Sequence, residues 1–340
     1  MKEVNVFRRT IAGWKLRSRT VELGRRTLVM GVVNITPDSF SDGGRFFDAE
    51  AAIAHGIRLL NEGADLLDLG AESTRPGSRA GGADGSGLGP AVSAEEEQGR
   101  LLPVLEGILK AWPEAIVSVD TYKARTARAA VAAGAEIVND VSGLGWDPEM
   151  ARACAEAGCG VVLMHTRGRP EEWGGQAQLE PNELLRTVRA GLEASLKTAV
   201  EAGIAAEAIV LDPGYGFGKR LEENFSLLAR QAELLAMGRP LAVGVSRKSF
   251  LGKTLESLYG GRTAPVEGRE TASVAGLVAA ILHGASVVRV HQVRPAVEAA
   301  LVADAVLGPV NTTGVGGAGA NFSQFLGERS DAYRVSASDE

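Results

Sequence analysis

Eight times along the chain a short run of Val, Ile, Leu and Ala stops on a polar residue, and a helical pattern follows. The runs occupy residues 28–33, 66–69, 116–119, 136–138, 160–163, 209–211, 241–245 and 286–290. Continuously apolar runs of this length, rather than alternating ones, belong to strands buried on both faces, as in parallel sheets with helices packed outside. Strand and helix alternate without a break in composition, which predicts a single α/β domain of the (β/α)8 barrel type. A doubly wound open sheet is the alternative, because one sequence does not reveal strand order. In a barrel the C-terminal ends of all eight strands converge on one face. Here they carry Asn34, Glu72, Asp120, Asn139, Met164, Asp212, Lys248, and Arg289 with His291.

The division read from the sequence is an N-terminal arm or hairpin over 1–26, a barrel over 27–307 and a flexible Gly/Ser/Asn-rich tail over 308–340. Within the barrel Asp48 is expected to cap the first helix, Ser93 with Glu96 the second, and Asp147 before Pro148 a short fourth one. The glycine-rich stretch 78–91 reads as a flexible loop, and a helix is expected from Leu221 to about Ala236. A glycine pattern at 314–319 matches a dinucleotide fingerprint, but no strand precedes it, so it carries no weight.

With 45% hydrophobic and 23% charged residues the chain can bury a large core, and its net charge of −6 gives no support for a nucleic-acid partner. No apolar run is long enough for a membrane span and residues 1–10 lack a signal-peptide core, so the cytoplasm is expected. Cys154 and Cys159 read as small buried residues, since no second Cys/His pair at zinc-site spacing accompanies them.

The most specific stretch is 209–219, an apolar run that delivers Asp212 into a glycine-rich turn ending at Lys219. It is neither a Walker loop nor a dinucleotide turn: Pro213 stands where the first needs glycine, and the third glycine of the second falls one residue too early. Asp120, Asn139, Asp212 and Lys248 together offer carboxylates, an amide and a cation, which suit the edges of a flat heterocycle. A structural ion pair between Asp212 and Lys248 is the plainer alternative. Arg247, Lys248, Arg289 and His291 suit an anion at the last two loops, where barrels often bind phosphate. Asn34 could ligate a divalent ion shared with a diphosphate.

These motifs, in collinear order over residues 28–307, resemble the dihydropteroate synthase family: 34–44, 72–77, Asp120 with Thr121, Asn139 with Asp140, Met164 with His165, 212–219, 246–249, and Arg289 with His291. The resemblance implies condensation of 6-hydroxymethyl-7,8-dihydropterin diphosphate with p-aminobenzoate to give 7,8-dihydropteroate and diphosphate in folate biosynthesis. It implies that Asp120, Asn139, Asp212 and Lys248 hold the pterin with Met164 against its face. Asn34, Arg289 and His291 would hold the diphosphate and Mg2+. Thr74, Arg75, Pro76, Phe217, Lys248 and Ser249 would surround the aminobenzoate, and Asp42 and Arg75 would close over the site. It further implies a homodimer and a target of sulfonamides.

Such a displacement at an activated CH2 needs no nucleophilic side chain, which fits the lack of any Ser–His–Asp or Cys–His set. The family's pattern is broken at Thr166–Pro170, at Tyr122 and by the added length of 78–91. A corrinoid-type pterin methyltransferase and a non-catalytic pterin-binding paralogue are the competing functions. The loop motifs 36–44 and 72–77, with Arg289 and His291, speak against the first.

Overall fold

A computed structural model of the chain describes residues 9–36, 45–72 and 92–308, with the side chains of 45–48 excepted. The first described elements are an antiparallel hairpin, β1 (Ala12–Lys15) and β2 (Thr20–Leu23), in which Ala12 pairs with Leu23 and Lys15 with Thr20. Eight parallel strands follow: β3 (Leu28–Asn34), β4 (Leu66–Gly70), β5 (Val117–Asp120), β6 (Ile137–Asp140), β7 (Gly160–Met164), β8 (Ile209–Asp212), β9 (Leu241–Val243) and β10 (Ala285–Val290). They close into a barrel in chain order, with β10 beside β3, so the expected (β/α)8 architecture is present. The helices are α1 (Arg45–Asn61), α2 (Ala94–Ala111), α3 (Ala124–Ala132), α4 (Met150–Ala157), α5 (Pro181–Glu201), α6 (Leu221–Ala229), α7 (Ser249–Thr254), α8 (Glu270–Leu282) and α9 (Val293–Leu307).

Side chains alternate across each strand, and the two faces have different fates. Val29, Val33, Leu67, Leu69, Val117, Val119, Val161, Leu163, Ile209 and Leu211 point outward into one core shared with the helices. The inward residues of the lower half are Leu28, Met30, Leu66, Ile137, Val162, Val210, Ala242 and Val287, and they form a second core with Trp14, Leu16 and Leu23. The hairpin therefore plugs the N-terminal mouth of the barrel. The indole Nε1–H of Trp14 donates to the carbonyl of Ala208 at 2.9 Å, and Glu136 accepts from the backbone and hydroxyl of Ser18. Arg9, Thr27 and Asp304 form a buried knot that ties the chain just before β3 to α9.

The upper half of the interior continues the same inward positions but changes character. Asn34, Asp68, Ser118, Asp120, Asn139, Met164, Asp212 and Arg289 occupy it. An apolar floor beneath polar walls thus follows from period-two alternation along strands whose last inward residues are polar.

Several helix boundaries differ from expectation. Helix α1 starts at Arg45, so Asp48 falls inside it rather than before its first residue. Ser93 caps α2 as expected, accepting from the Glu96 N–H at 3.1 Å. Asp147 does not cap α4, whose N-cap is Glu149. One Asp147 oxygen accepts from the Glu149 N–H and the other from the Ala124 N–H at the start of α3, so it ties two helices together. Helix α6 ends at Ala229 and a 3-10 segment, Gln231–Met237, continues it. Buried Gln231 accepts from the Tyr215 hydroxyl and donates to the Ala280 and His283 carbonyls, which draws the chain off the helical path. The Cys154 and Cys159 thiols are buried and free. The tail from residue 309, the loop 78–91 and residues 1–8 of the arm lie outside the described residues.

Candidate active site

Asp68, an inward residue of β4, has no exposed surface. Its Oδ2 accepts from Arg289 Nε at 2.5 Å and from Asn139 Nδ2 at 3.1 Å. Arg289 also donates through Nη2 to Asp120 Oδ2 at 2.8 Å. One guanidinium thus bridges two carboxylates contributed by β4 and β5. Burial raises the Asp120 carboxyl to about 7, with Arg289 opposing the rise and Asp68 and Glu97 adding to it. Burial also works against the Arg289 charge, but Asp68 and Asp120 outweigh it and hold the guanidinium above its ordinary value.

Asp212 closes the other side. Its Oδ1 accepts the Gly214 N–H at 2.7 Å, which folds the following turn back on the strand end. Gly214 has φ 68°, and a Cβ there would fall 1.9 Å from the His165 carbonyl oxygen, so only glycine fits. Burial lifts Asp212 to about 6, against the Gly214 N–H, Lys248, Lys219 and Arg289. Lys219 threads beneath the same turn, donating to the carbonyls of Gly214 (2.7 Å), His165 (3.3 Å) and Phe217 (3.3 Å). Burial pulls its ammonium down to about 7. The turn presents the Phe217 ring to Lys248, whose Nζ lies 3.8 Å from the ring centroid, a cation–π contact.

Met164, Tyr122, Val141, Trp146 and Phe217 form a small apolar cluster at the rim. Tyr122 meets Trp146 edge to face at 5.1 Å, and Lys123 Nζ lies 4.5 Å over the Tyr122 ring. Lys123 also bridges Glu72 (2.5 Å) and buried Glu97 (3.2 Å), and Glu72 accepts from the Val92 N–H. The two chain ends flanking 73–91 are therefore fastened to each other and to β5.

Of the predicted residues, the structure brings Asp120, Asn139, Met164, Asp212 and Arg289 into the upper barrel interior, with Lys248 and Phe217 beside Asp212. His291 is held by Ser246, whose Oγ lies 3.1 Å from its Nδ1. Asn34 ends β3 on the inward face, and Ser249 begins α7. Arg247 is not part of this set. It takes φ 60°, pairs with Glu270 at 2.5 Å and receives Arg269 on its carbonyl, so it points toward α8. Asp42, Thr74, Arg75 and Pro76 lie outside the described residues. A cavity of about 310 Å3, lined by Lys219, Arg220, Asn224, Ser249 and Lys253 among others, abuts the β8 and β9 loops rather than the Arg289 centre.

Sequence reasoning passed over Asp68, Lys219 and Lys123. Asp68 could have been found: it alternates with Leu67 and Leu69, so the helix-facing side of β4 is apolar and the acid must point inward. Lys219 lay in the 209–219 stretch, but its use of carbonyl acceptors depends on the turn. Lys123 depends on pairing across three elements. Asp68, Asp120 and Asp212 face Arg289, Lys219 and Lys248, so the site balances its own charge. Directional donors and acceptors surround a space walled by Met164 and Phe217, which is the equipment for gripping a flat polar ring.

A family model described as "Pterin binding enzyme" matches residues 30–291. The chain is 44% identical over 281 residues to the dihydropteroate synthase of Mycobacterium leprae, covering 82% of this chain and 93% of that one. A structure of Xanthomonas albilineans dihydropteroate synthase with 4-aminobenzoic acid matches with a TM-score of 0.75 at 39% identity, over 88% of this chain and 99% of that one. The same enzyme in complex with 7,8-dihydropteroate matches with a TM-score of 0.71 at 37% identity, over 87% and 99%. The chain belongs to the pterin-binding enzymes and, among them, to the dihydropteroate synthases.

Proposed function

We propose that this synthase condenses 6-hydroxymethyl-7,8-dihydropterin diphosphate with p-aminobenzoate in the upper barrel interior. Asp212, Asn139, Asp120 and Lys248 hold the pterin ring, with Met164 against its face. The carboxylate of Asp212 takes two parallel N–H groups of the ring's amidine-like edge, a charge-assisted and directional contact. The observation that carries this assignment is the convergence of Asp120, Asn139 and Asp212 from three strands onto one interior that also holds Arg289. The Xanthomonas albilineans relatives bound to 4-aminobenzoic acid and to 7,8-dihydropteroate support the substrate pair.

The aminobenzoate nitrogen forms the new C–N bond with its lone pair, the C–O bond breaks, and diphosphate leaves with that electron pair. The amine then releases a proton to water. The chain's task is alignment and charge complementarity, without a covalent intermediate. Ionised Asp120 stabilises positive charge spread over the pterin as the bond to diphosphate lengthens. Arg289 and His291 receive the diphosphate, which competes with Asp120 for the Arg289 Nη2 group. Phe217, Lys248 and Ser249 line the aminobenzoate side with Thr74, Arg75 and Pro76, and Asp42 with Arg75 completes closure.

Among the described residues no three His, Cys, Asp or Glu side chains gather into a metal cage. The Asn34 amide oxygen, on the inward face at the end of β3, would hold Mg2+. Bound there, the ion would supply charge neutralisation of the leaving group.

A homodimer in the cytoplasm that is a target of sulfonamides completes the proposal. A Yersinia pestis relative has been solved with a sulfonamide drug, and among the described residues no helix is long and apolar enough to cross a membrane. The test is diphosphate release from the protein with both substrates and Mg2+. Release that depends on aminobenzoate supports the assignment, whereas pterin binding without release would mark a non-catalytic paralogue. Sedimentation should give twice the chain mass of 35.4 kDa.

A further inference from the structure

Asn139 and Arg289 face the proposed pterin and diphosphate positions, yet each is oriented by a residue with no assigned role. Asp68 is fully buried, and its Oδ2 accepts from both Asn139 Nδ2 and Arg289 Nε. An ionised carboxylate only accepts, so the side of the Asn139 amide that faces it must be the NH2 group. The orientation of that amide is thereby dictated by chemistry, and its Oδ1 becomes the end that Asp68 does not engage. The same oxygen holds Arg289 by Nε and leaves Nη2 to reach Asp120. The second oxygen of Asp68 is buried without a hydrogen-bond partner among the described residues. A buried acid with an idle oxygen is costly for the fold alone, and evolution of a purely structural position has cheaper apolar solutions.

We propose that Asp68 is a positioning residue for the condensation: it fixes Asn139 with its carbonyl toward the pterin N–H groups, and it seats Arg289 beside Asp120. This rests on the pterin-site assignment made above. Asp68 touches neither substrate and acts through its two neighbours. It also contributes a like charge near Asp120, which bears on the pH at which Asp120 ionises.

The experiment compares Asp68→Ala, Asp68→Asn and Asp212→Asn with the parent protein. Binding of the pterin diphosphate is followed by calorimetry, and kcat/KM is followed across pH. Asp68→Ala removes the acceptor and frees the Asn139 amide to turn, so pterin affinity should fall at least tenfold while the KM for aminobenzoate stays within about twofold. Asp68→Asn keeps one acceptor oxygen and should restore most of that affinity. It also removes the neighbouring negative charge, so Asp120 should ionise at lower pH and the acid limb of the profile should move downward.

Undiminished pterin affinity in Asp68→Ala overturns the proposal. So does an unmoved acid limb in Asp68→Asn, the readout that decides the matter if the alanine variant does not fold. Asp212→Asn separates the two levels: lost pterin binding there with none lost in Asp68→Ala defeats Asp68 alone. Binding intact in both defeats the pterin-site assignment itself.

Discussion

Lys219 and Gly214 are joined by a 2.7 Å hydrogen bond from a buried ammonium to a main-chain carbonyl, and this bond holds the turn that follows Asp212. The same ammonium also serves the His165 and Phe217 carbonyls. Replacing Lys219 with Met keeps the length of the chain but strands three acceptors, each worth roughly 1 kcal/mol net when paired. Thermal unfolding should show a loss of about 3 kcal/mol. The KM for aminobenzoate should rise with it, because the turn carries Phe217. A melting temperature within a degree of the parent would show that the turn holds itself.

Asp212→Asn should weaken pterin binding at least tenfold while making the empty protein more stable at pH 8. Burial raises the folded Asp212 pKa to about 6, above the ordinary carboxylate value near 4. Between those values the folded state binds more protons than the unfolded state, so this group's contribution to stability falls as pH rises from about 4 to 6. The neutral amide escapes that penalty, which is about 3 kcal/mol for two units at 1.36 kcal/mol each. Denaturant titrations at pH 5 and pH 8 check it: the variant's advantage should be larger at pH 8, and an advantage confined to pH 5 would reverse the assigned sign.

Arg289→Ala should impair binding of the pterin diphosphate far more than binding of the pterin alcohol. It also strips Asp68 and Asp120 of their shared cation. With that attraction gone Asp120 should hold its proton to higher pH, and the acid limb of kcat/KM should move up. Equal losses for the two ligands would remove Arg289 from the diphosphate site.

Trp14→Ala should destabilise the protein by about 3–5 kcal/mol, the usual range for deleting a buried indole. Trp14 is 1% exposed and packs under the barrel with Leu28, Met30 and Val162, below the polar upper interior. The folded fraction should therefore keep the parent kcat. Urea unfolding and turnover on the same sample test both halves, and a fall in kcat with stability unchanged would contradict the separation of plug from site.

The strands and their polar ends could be read before any coordinates because parallel strands buried on both faces announce themselves as unbroken apolar runs. Asp120, Asn139 and Asp212 stand out at the ends of such runs. Asp68 is quieter, being one acid inside a run, yet period-two alternation assigns it to the interior. Arg247 could not be placed that way: its left-handed backbone and its pairing with Glu270 arise only once α8 has docked. Asp147 before Pro148 reads as the cap of α4, whereas its carboxylate accepts from the Glu149 N–H and, on another helix, from the Ala124 N–H. Local signals show that an acid will satisfy backbone N–H groups, and tertiary packing decides which ones.

The hairpin of Trp14, Leu16 and Leu23 fills the N-terminal mouth of the barrel, so among the described residues the chamber offers no way in from that end. Traffic in such a chamber must queue. In the proposed arrangement a ring bound for Asn139 and Arg289 has to pass the place beside Phe217 and Ser249, and so enters ahead of its co-substrate. The order of arrival is thus set by a wall at the end of the molecule opposite the proposed site.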